Sequence, residues 1–119
     1  GFTLAERMQL LPELGAVVMH LSAQDLEQHG FQPGDTEGFV NMGLSIRGMR
    51  VAAILIQRGD TVKISMRSKG DLAVNGFLTE HFNGGGHANA AGGHMKAPLP
   101  EVLQRFHALL PGLLQRVQA

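Results

Sequence analysis

The run Gly84-Gly85-Gly86-His87, followed by Ala88-Asn89-Ala90-Ala91-Gly92-Gly93, is the densest chemical signal in this chain. Glycines let backbone N–H groups approach a ligand that any Cβ would hold away. An Ala-rich turn after them is predicted to be helical, and a helix start adds unpaired N–H groups and a small positive potential. His87, at that junction, could donate to or pair with an oxyanion. The chemistry is that of a phosphate or carboxylate cradle, although three glycines alone are equally compatible with a flexible loop. A second group, Arg67-Ser68-Lys69, stands at the end of an alternating apolar-polar segment. Strand ends beside loops are where open α/β sheets place ligand contacts. There Arg67 can grip a phosphate through two N–H groups and Ser68 can add a hydroxyl. Alone, such a triplet more often marks solvated surface; beside a glycine cradle it gains weight.

Other chemistries find less support. His81, His87 and His94 lie six and seven residues apart in sequence, which is not the i, i+4 helical pairing of a zinc site, and Glu80 is the nearest carboxylate. No metal site is therefore expected in this chain. His20 and His107 fall on otherwise apolar elements and read as structural. No Walker lysine follows the glycines, no strand-then-helix dinucleotide fingerprint surrounds them, and no Gly-x-Ser-x-Gly frames a serine nucleophile.

The elements that must position these residues can be read in order. A capping box, Thr3 with Glu6, and the spacing of Leu4, Met8 and Leu11 predict a helix from Thr3 to Leu14. Gly15 to Leu21 reads as a buried strand. Ser22 caps a short helix that Gly30 ends. After a turn at Pro33-Gly34, Thr36 can cap a helix through Leu44, which Gly38 and Gly43 weaken. Met49 to Gln57 and Thr61 to Arg67 form a hairpin about Arg58-Gly59-Asp60. In its second strand Val62, Ile64 and Met66 face one way and Lys63, Ser65 and Arg67 the other. Asp71 caps a helix buried along Val74, Phe77, Leu78 and Phe82, and His94 to Lys96 suggests a short strand. A last helix carries Leu99, Leu103, Phe106 and Leu110 on one face, and Pro111-Gly112 should break or kink it. The sum is a single α/β domain over residues 1–119, a mixed sheet of four to five strands with helices packed on its faces.

Composition narrows the partners. The chain has 119 residues, 44% of them hydrophobic, which suits one soluble core. The longest apolar run, Val51 to Ile56, is strand-length, so no membrane partner is expected. With no cysteine there is neither a disulfide framework nor a thiolate metal site, and a reducing cytoplasm is the default location. Ten basic and ten acidic residues cancel, and no basic block is dense enough for strong duplex binding. Without Trp or Tyr, base stacking would fall to Phe, His or Arg. A nucleic-acid ligand should be short and held at one end.

The run Val62-Lys-Ile-Ser-Met-Arg-Ser-Lys-Gly70, then Asp71-Leu-Ala-Val-Asn75, then Gly84-Gly-Gly-His-Ala-Asn-Ala-Ala-Gly92, resembles the C-terminal, DHH-associated domain of DHH-family phosphoesterases. The branch it most resembles is that of bifunctional oligoribonucleases and 3′-phosphoadenosine-5′-phosphate phosphatases (nanoRNases). Asp35-Thr-Glu-Gly38 with Val40-Asn41 fits the same branch, and the likeness runs in order from Gly15 to Gly93. The resemblance implies a two-domain enzyme. Its N-terminal DHH domain would hold two divalent metals, usually manganese, and this domain would hold substrate through Arg67, Ser68, Lys69, Gly84, Gly85, Gly86 and His87. The Asp-His-His signature is not in the sequence, so the chain, whose opening Gly-Phe-Thr-Leu accords with a fragment, is expected to bind without cleaving and to carry no cofactor of its own. The implied partners are short RNA or DNA or a nucleotide phosphate, and the DHH domain of the same polypeptide. The resemblance also leaves room for a homodimer of the full-length protein. Alternatives are a stand-alone RNA- or nucleotide-binding module, or the equivalent domain of an exopolyphosphatase-like or single-strand exonuclease relative. The related domain of alanyl-tRNA synthetases is disfavoured by His87, Ala90-Ala91-Gly92 and the Arg67-Ser68 pair.

Overall fold

A computed structural model describes residues 4–32 and 34–118. Among them the chain forms a mixed sheet of six strands in the order β1-β2-β3-β4-β6-β5. The strands are β1 (Met8–Leu11), β2 (Ala16–Leu21), β3 (Val51–Arg58), β4 (Thr61–Ser68), β5 (Gly85–His87) and β6 (Ala90–Met95). Only β2 and β3 pair in parallel; every other neighbour is antiparallel. Helices α1 (Ala23–Gln28) and α2 (Asp35–Ser45) lie in the crossover between the two parallel strands. Helix α3 (Asn75–His81) precedes the β5–β6 hairpin, and α4 (Leu99–Gln118) follows it.

The sheet separates two cores because side chains alternate along each strand. On one face Ala53, Leu55, Ile64 and Met66 pack against Phe77, Leu78, Phe82, Phe106, Leu110 and Leu114 from the α3–α4 side. The rings of Phe77, Phe82 and Phe106 meet with centroids 5.9–6.0 Å apart, a geometry that adds about 0.5–1.5 kcal/mol per pair beyond buried area. On the other face Val17, Met19, Ala52, Ile54 and Ile56 pack against Val40 of α2 and Leu26 of α1. Helix α2 lies mainly over β3 and β4, with its Gly43 close against Val17 of β2. The part of that face formed by β6 and β5, beyond the polar side of β4, is left open.

Four expectations are corrected. The sheet has six strands, not four to five. The predicted N-terminal helix is a 3-10 turn (Leu4–Arg7) followed by β1; Thr3, its expected cap, and Pro33, in the expected turn, lie outside the described residues. Met8 and Leu11 are three apart, one face of a helix but opposite faces of a strand, and they join opposite cores. Pairing with the otherwise bare edge of β2 outweighs the local periodicity. The Ala-rich stretch is no helix: Ala88-Asn89 is the turn of the β5–β6 hairpin. Finally, α4 continues through Pro111, because Leu110 and Leu114 on either side are fully buried and hold the two halves to one core.

Of the remaining expected helix caps, Ser22 is the one observed, and those of α2 and α3 differ. Ser22 makes a full capping box with Asp25. Helix α2 begins at Asp35 after Gly34, without a Thr36 cap, and α3 begins after Val74 rather than at Asp71. The start of α4 is tied to the β3–β4 hairpin, the Leu99 N–H donating to Gln57 Oε1 at 2.7 Å.

Candidate functional site

The two sequence segments singled out for chemistry meet on the open half of the sheet. Arg67 of β4 pairs with Ala90 of β6, and Ala90 pairs with His87 of β5. Arg67 and His87 thus stand in one row, two strands apart, a separation of about 10 Å between backbones. The next row is Ser65, Gly92 and Gly85, and the one beyond pairs Lys63 with His94.

Arg67 is presented rather than loose. Its side chain is 25% exposed, Nη1 donates to the Met66 carbonyl at 3.2 Å, and Nη2 lies 3.5 Å from Glu37 Oε1. Glu37 stands in the first turn of α2 and is 68% exposed. An ion pair so open to water contributes at most about 1 kcal/mol, so a phosphate can displace the carboxylate at little cost.

Ser68 does not present its hydroxyl to solvent. It is buried, its Oγ donates to the Leu72 carbonyl, and it accepts from the Asn89 amide at 3.0 Å. Asn89 Nδ2 also reaches the carbonyls of Gly70 and Leu72, at 3.1 and 3.2 Å. The backbone repeats the tie: Ser68 N–H donates to Asn89 O, and Val74 N–H to Ala88 O. The hairpin turn that carries His87 is therefore clamped to the strand end that carries Arg67. Lys69 is exposed beside them, its N–H donating to the Arg50 carbonyl. Asn89, Glu37 and the Lys63–His94 row were not singled out from sequence. Lys63 was the one with a visible signal, sharing the polar face of β4 with Arg67.

The glycines divide by role. A Cβ at Gly84 would sit 2.2 Å from the Gly92 carbonyl oxygen, and Gly86 has φ +135° with Ala90 O and Ala91 Cα at 2.9 Å. Both are demanded by the close hairpin, not by a ligand. Gly85 is different: a Cβ there meets nothing nearer than Thr79 Oγ1 at 3.9 Å. The edge strand β5 exposes backbone along this segment, but the glycines precede no helix start, so the expected helical contribution to an anion cradle is absent.

Two ionisable groups lie far from this face. Burial, with the charge of Arg7, lowers the pKa of His20 below its ordinary value. Burial alone would raise that of Asp25, but the Ser22 N–H, the Arg7 guanidinium and the Ser22 hydroxyl together bring it below the ordinary value. Arg7 Nε lies 3.1 Å from Asp25 Oδ2, which fastens the N-terminal turn to α1. Among the described residues no three of His, Cys, Asp and Glu gather as a metal-binding group. No described helix is long and apolar enough to cross a membrane.

The family model of the DHHA1 domain matches residues 14–115, a span that includes the hairpin and the Arg-Ser strand end. The chain is a DHHA1 domain. Over 82 residues it is 32% identical to the bifunctional oligoribonuclease and PAP phosphatase NrnA of Bacillus subtilis (strain 168), covering 69% of this chain and 26% of that protein. The DHHA1 chain thus spans about a quarter of the length of that curated relative. An exopolyphosphatase-related protein from Bacteroides fragilis superposes on it with a TM-score of 0.88 at 29% identity, over 98% of this chain and 34% of that one. A pGpG-specific phosphodiesterase from Vibrio cholerae shares the fold, with a TM-score of 0.64 at 11% identity over 92% of this chain and 36% of that one.

Proposed function

We propose that this DHHA1 domain holds the substrate of a DHH-family phosphoesterase, gripping a phosphate of a short oligonucleotide or nucleotide between Arg67 and His87. The observation that carries the reading is the shared row of Arg67, Ala90 and His87, clamped by Asn89. A displaceable guanidinium on one side and an exposed imidazole on the other flank Ala90, and the next row is bare of side chains at Gly92 and Gly85. Gly85, which the fold does not require to be glycine, permits close approach. Ser68 acts as support beneath Arg67, and Lys69 adds charge at the rim.

On this reading the catalytic half is an N-terminal DHH domain outside this sequence. That domain would hold the divalent metals, manganese by resemblance, that supply activation of water; this chain's residues fix the phosphate's position, turning a loose encounter into an aligned one. The chain alone then binds without turnover, and the full enzyme works in the cytoplasm, as a monomer or homodimer. The likeness to the exopolyphosphatase-related protein favours a second reading, a linear polyphosphate as substrate.

The test is titration of the chain with a 5′-phosphorylated diribonucleotide, followed by calorimetry or chemical-shift change. Arg67→Ala should weaken binding by about 1.5–3 kcal/mol, the range for a charged hydrogen bond, with the melting temperature nearly unchanged. Wild-type affinity in a folded Arg67→Ala variant would remove the grip.

A further inference from the structure

The row grip uses only one end of the open face. Two cavities open along this face, one of about 450 Å³ bordered by Gly85, Gly92 and His94, the other of about 250 Å³ bordered by Glu37, Ser65 and Arg67. Arg58 and Lys63 line both, so the cavities form one trough running along β4. From Arg67 to Lys63 the strand advances four residues, about 14 Å.

The far end is as cationic as the near one. Arg58, Lys63 and His94 are exposed, and Lys63 and His94 are partners in register. Among the described residues, the side chains of Arg58, Lys63 and His94 have no hydrogen bond or ion pair. The carboxylate of the adjacent hairpin, Asp60, is paired with Lys96 at 3.5 Å. Between the two ends the floor is the row Ser65, Gly92 and Gly85. The fold does not need these two glycines: neither has a positive φ, and a Cβ would have its nearest neighbour at 3.4 Å at Gly92 and 3.9 Å at Gly85. Glycine inside a strand weakens it, and it often marks a place where something approaches the backbone closely.

We propose that Arg58, Lys63 and His94 form a second phosphate subsite, and that the bare strip of Gly92 and Gly85 seats a base or ribose between the two charged ends. The inference rests on the phosphate grip at Arg67 and names its substrate class: a single-stranded oligonucleotide of several residues. A mononucleotide with one phosphate fills one end; an oligonucleotide reaches both. A floor bare of side chains at Gly92 and Gly85, between separated cations, suits a chain that alternates rings with phosphates, whereas linear polyphosphate has no ring to seat there.

The test uses the 119-residue chain, titrated at fixed low salt with adenosine 5′-phosphate, oligoadenylates of two, four and six residues, and tripolyphosphate. Wild-type affinity should rise at least tenfold from mononucleotide to hexamer. The double variant Arg58→Gln/Lys63→Gln should keep the mononucleotide affinity, lose most of that gain, and flatten the salt dependence of hexamer binding by about 1.4, at roughly 0.7 per lost phosphate contact. Gly92→Ala should weaken hexamer binding at least fivefold while melting at or above the wild-type temperature. Arg67→Gln should lower affinity for every length. Wild-type hexamer binding in the double variant, or no length dependence in the wild type, would overturn the second subsite; a loss confined to Arg67→Gln would then leave the first grip standing. No loss in Arg67→Gln would remove the grip itself. Tripolyphosphate binding as tightly as hexamer, with Gly92→Ala silent, would overturn the assignment to oligonucleotides.

Discussion

Replacing Asn89 with Ala should unfasten the candidate site without touching its charges. The Asn89 amide donates to Ser68 Oγ, Gly70 O and Leu72 O at 3.0, 3.1 and 3.2 Å. The Gly70 bond is exposed, so water replaces it with little loss. The other two are partly buried and each contributes about 1 kcal/mol net. The expected destabilisation is about 2 kcal/mol, or about 8 °C in melting temperature for a domain of this size. Asn89→Asp should cost more, because a carboxylate cannot donate and would face two carbonyl oxygens. Urea denaturation reads this as a lower midpoint at unchanged slope. Since Ser68 Oγ also donates to Leu72 O, Ser68→Ala and Asn89→Ala share a partner, and their double variant should show a coupling of at least about 0.5 kcal/mol. Oligonucleotide affinity should fall with Asn89→Ala although no ligand contact is removed, because the turn carrying His87 is no longer held to the end of β4. Wild-type stability in Asn89→Ala, or strict additivity with Ser68→Ala, would refute the clamp.

Gly84→Ala should be strongly destabilising, by about 2 kcal/mol or more, because its Cβ would lie 2.2 Å from the Gly92 carbonyl oxygen; Gly85→Ala should melt like wild type, and the pair of melting curves checks the division of roles. Stability should decline as the pH falls from about 7 to 5. The depressed pKa values of His20 and His107 mean that, below the ordinary imidazole value of 6.5, the unfolded chain binds protons that the folded chain refuses. Substituting Asn at both positions should flatten that slope. Asp25 acts with the same sign at lower pH, its contribution being present above 3.8 and lost as the pH falls through its depressed folded value. Pro111→Ala should stabilise α4 by about 1–3 kcal/mol, since it restores an N–H for the His107 carbonyl in a helix that already continues past this position; a loss of stability would show that the ring itself packs.

The sequence by itself determined what depends on neighbours a few residues away. The strands β2, β3 and β4, the capping of α1 by Ser22, the alternation of Val62, Ile64 and Met66 with Lys63, Ser65 and Arg67, and the buried stripe of α3 all follow from local periodicity and turn chemistry. The glycine-histidine motif and the Arg-Ser pair were legible too, as residue types suited to phosphate and as a family likeness. Tertiary structure decided whatever depends on partners distant in the chain. Met8 to Leu11 is a strand only because β2 offers it an edge. Ala88 and Asn89 turn a hairpin because β6 pairs with β4 on its other side, and ladder bonds on both edges outweigh alanine's helical preference. Pro111 sits within an unbroken helix because Leu110 and Leu114 are buried in the same core. The same pairing sorted the site. Gly84 and Gly86 serve the hairpin, Ser68 turned inward to Asn89, and Arg67 came into one row with His87, twenty positions later. No spacing along the chain encodes that row, because register between strands is set by which side chains reach the core, and only the folded sheet settles that.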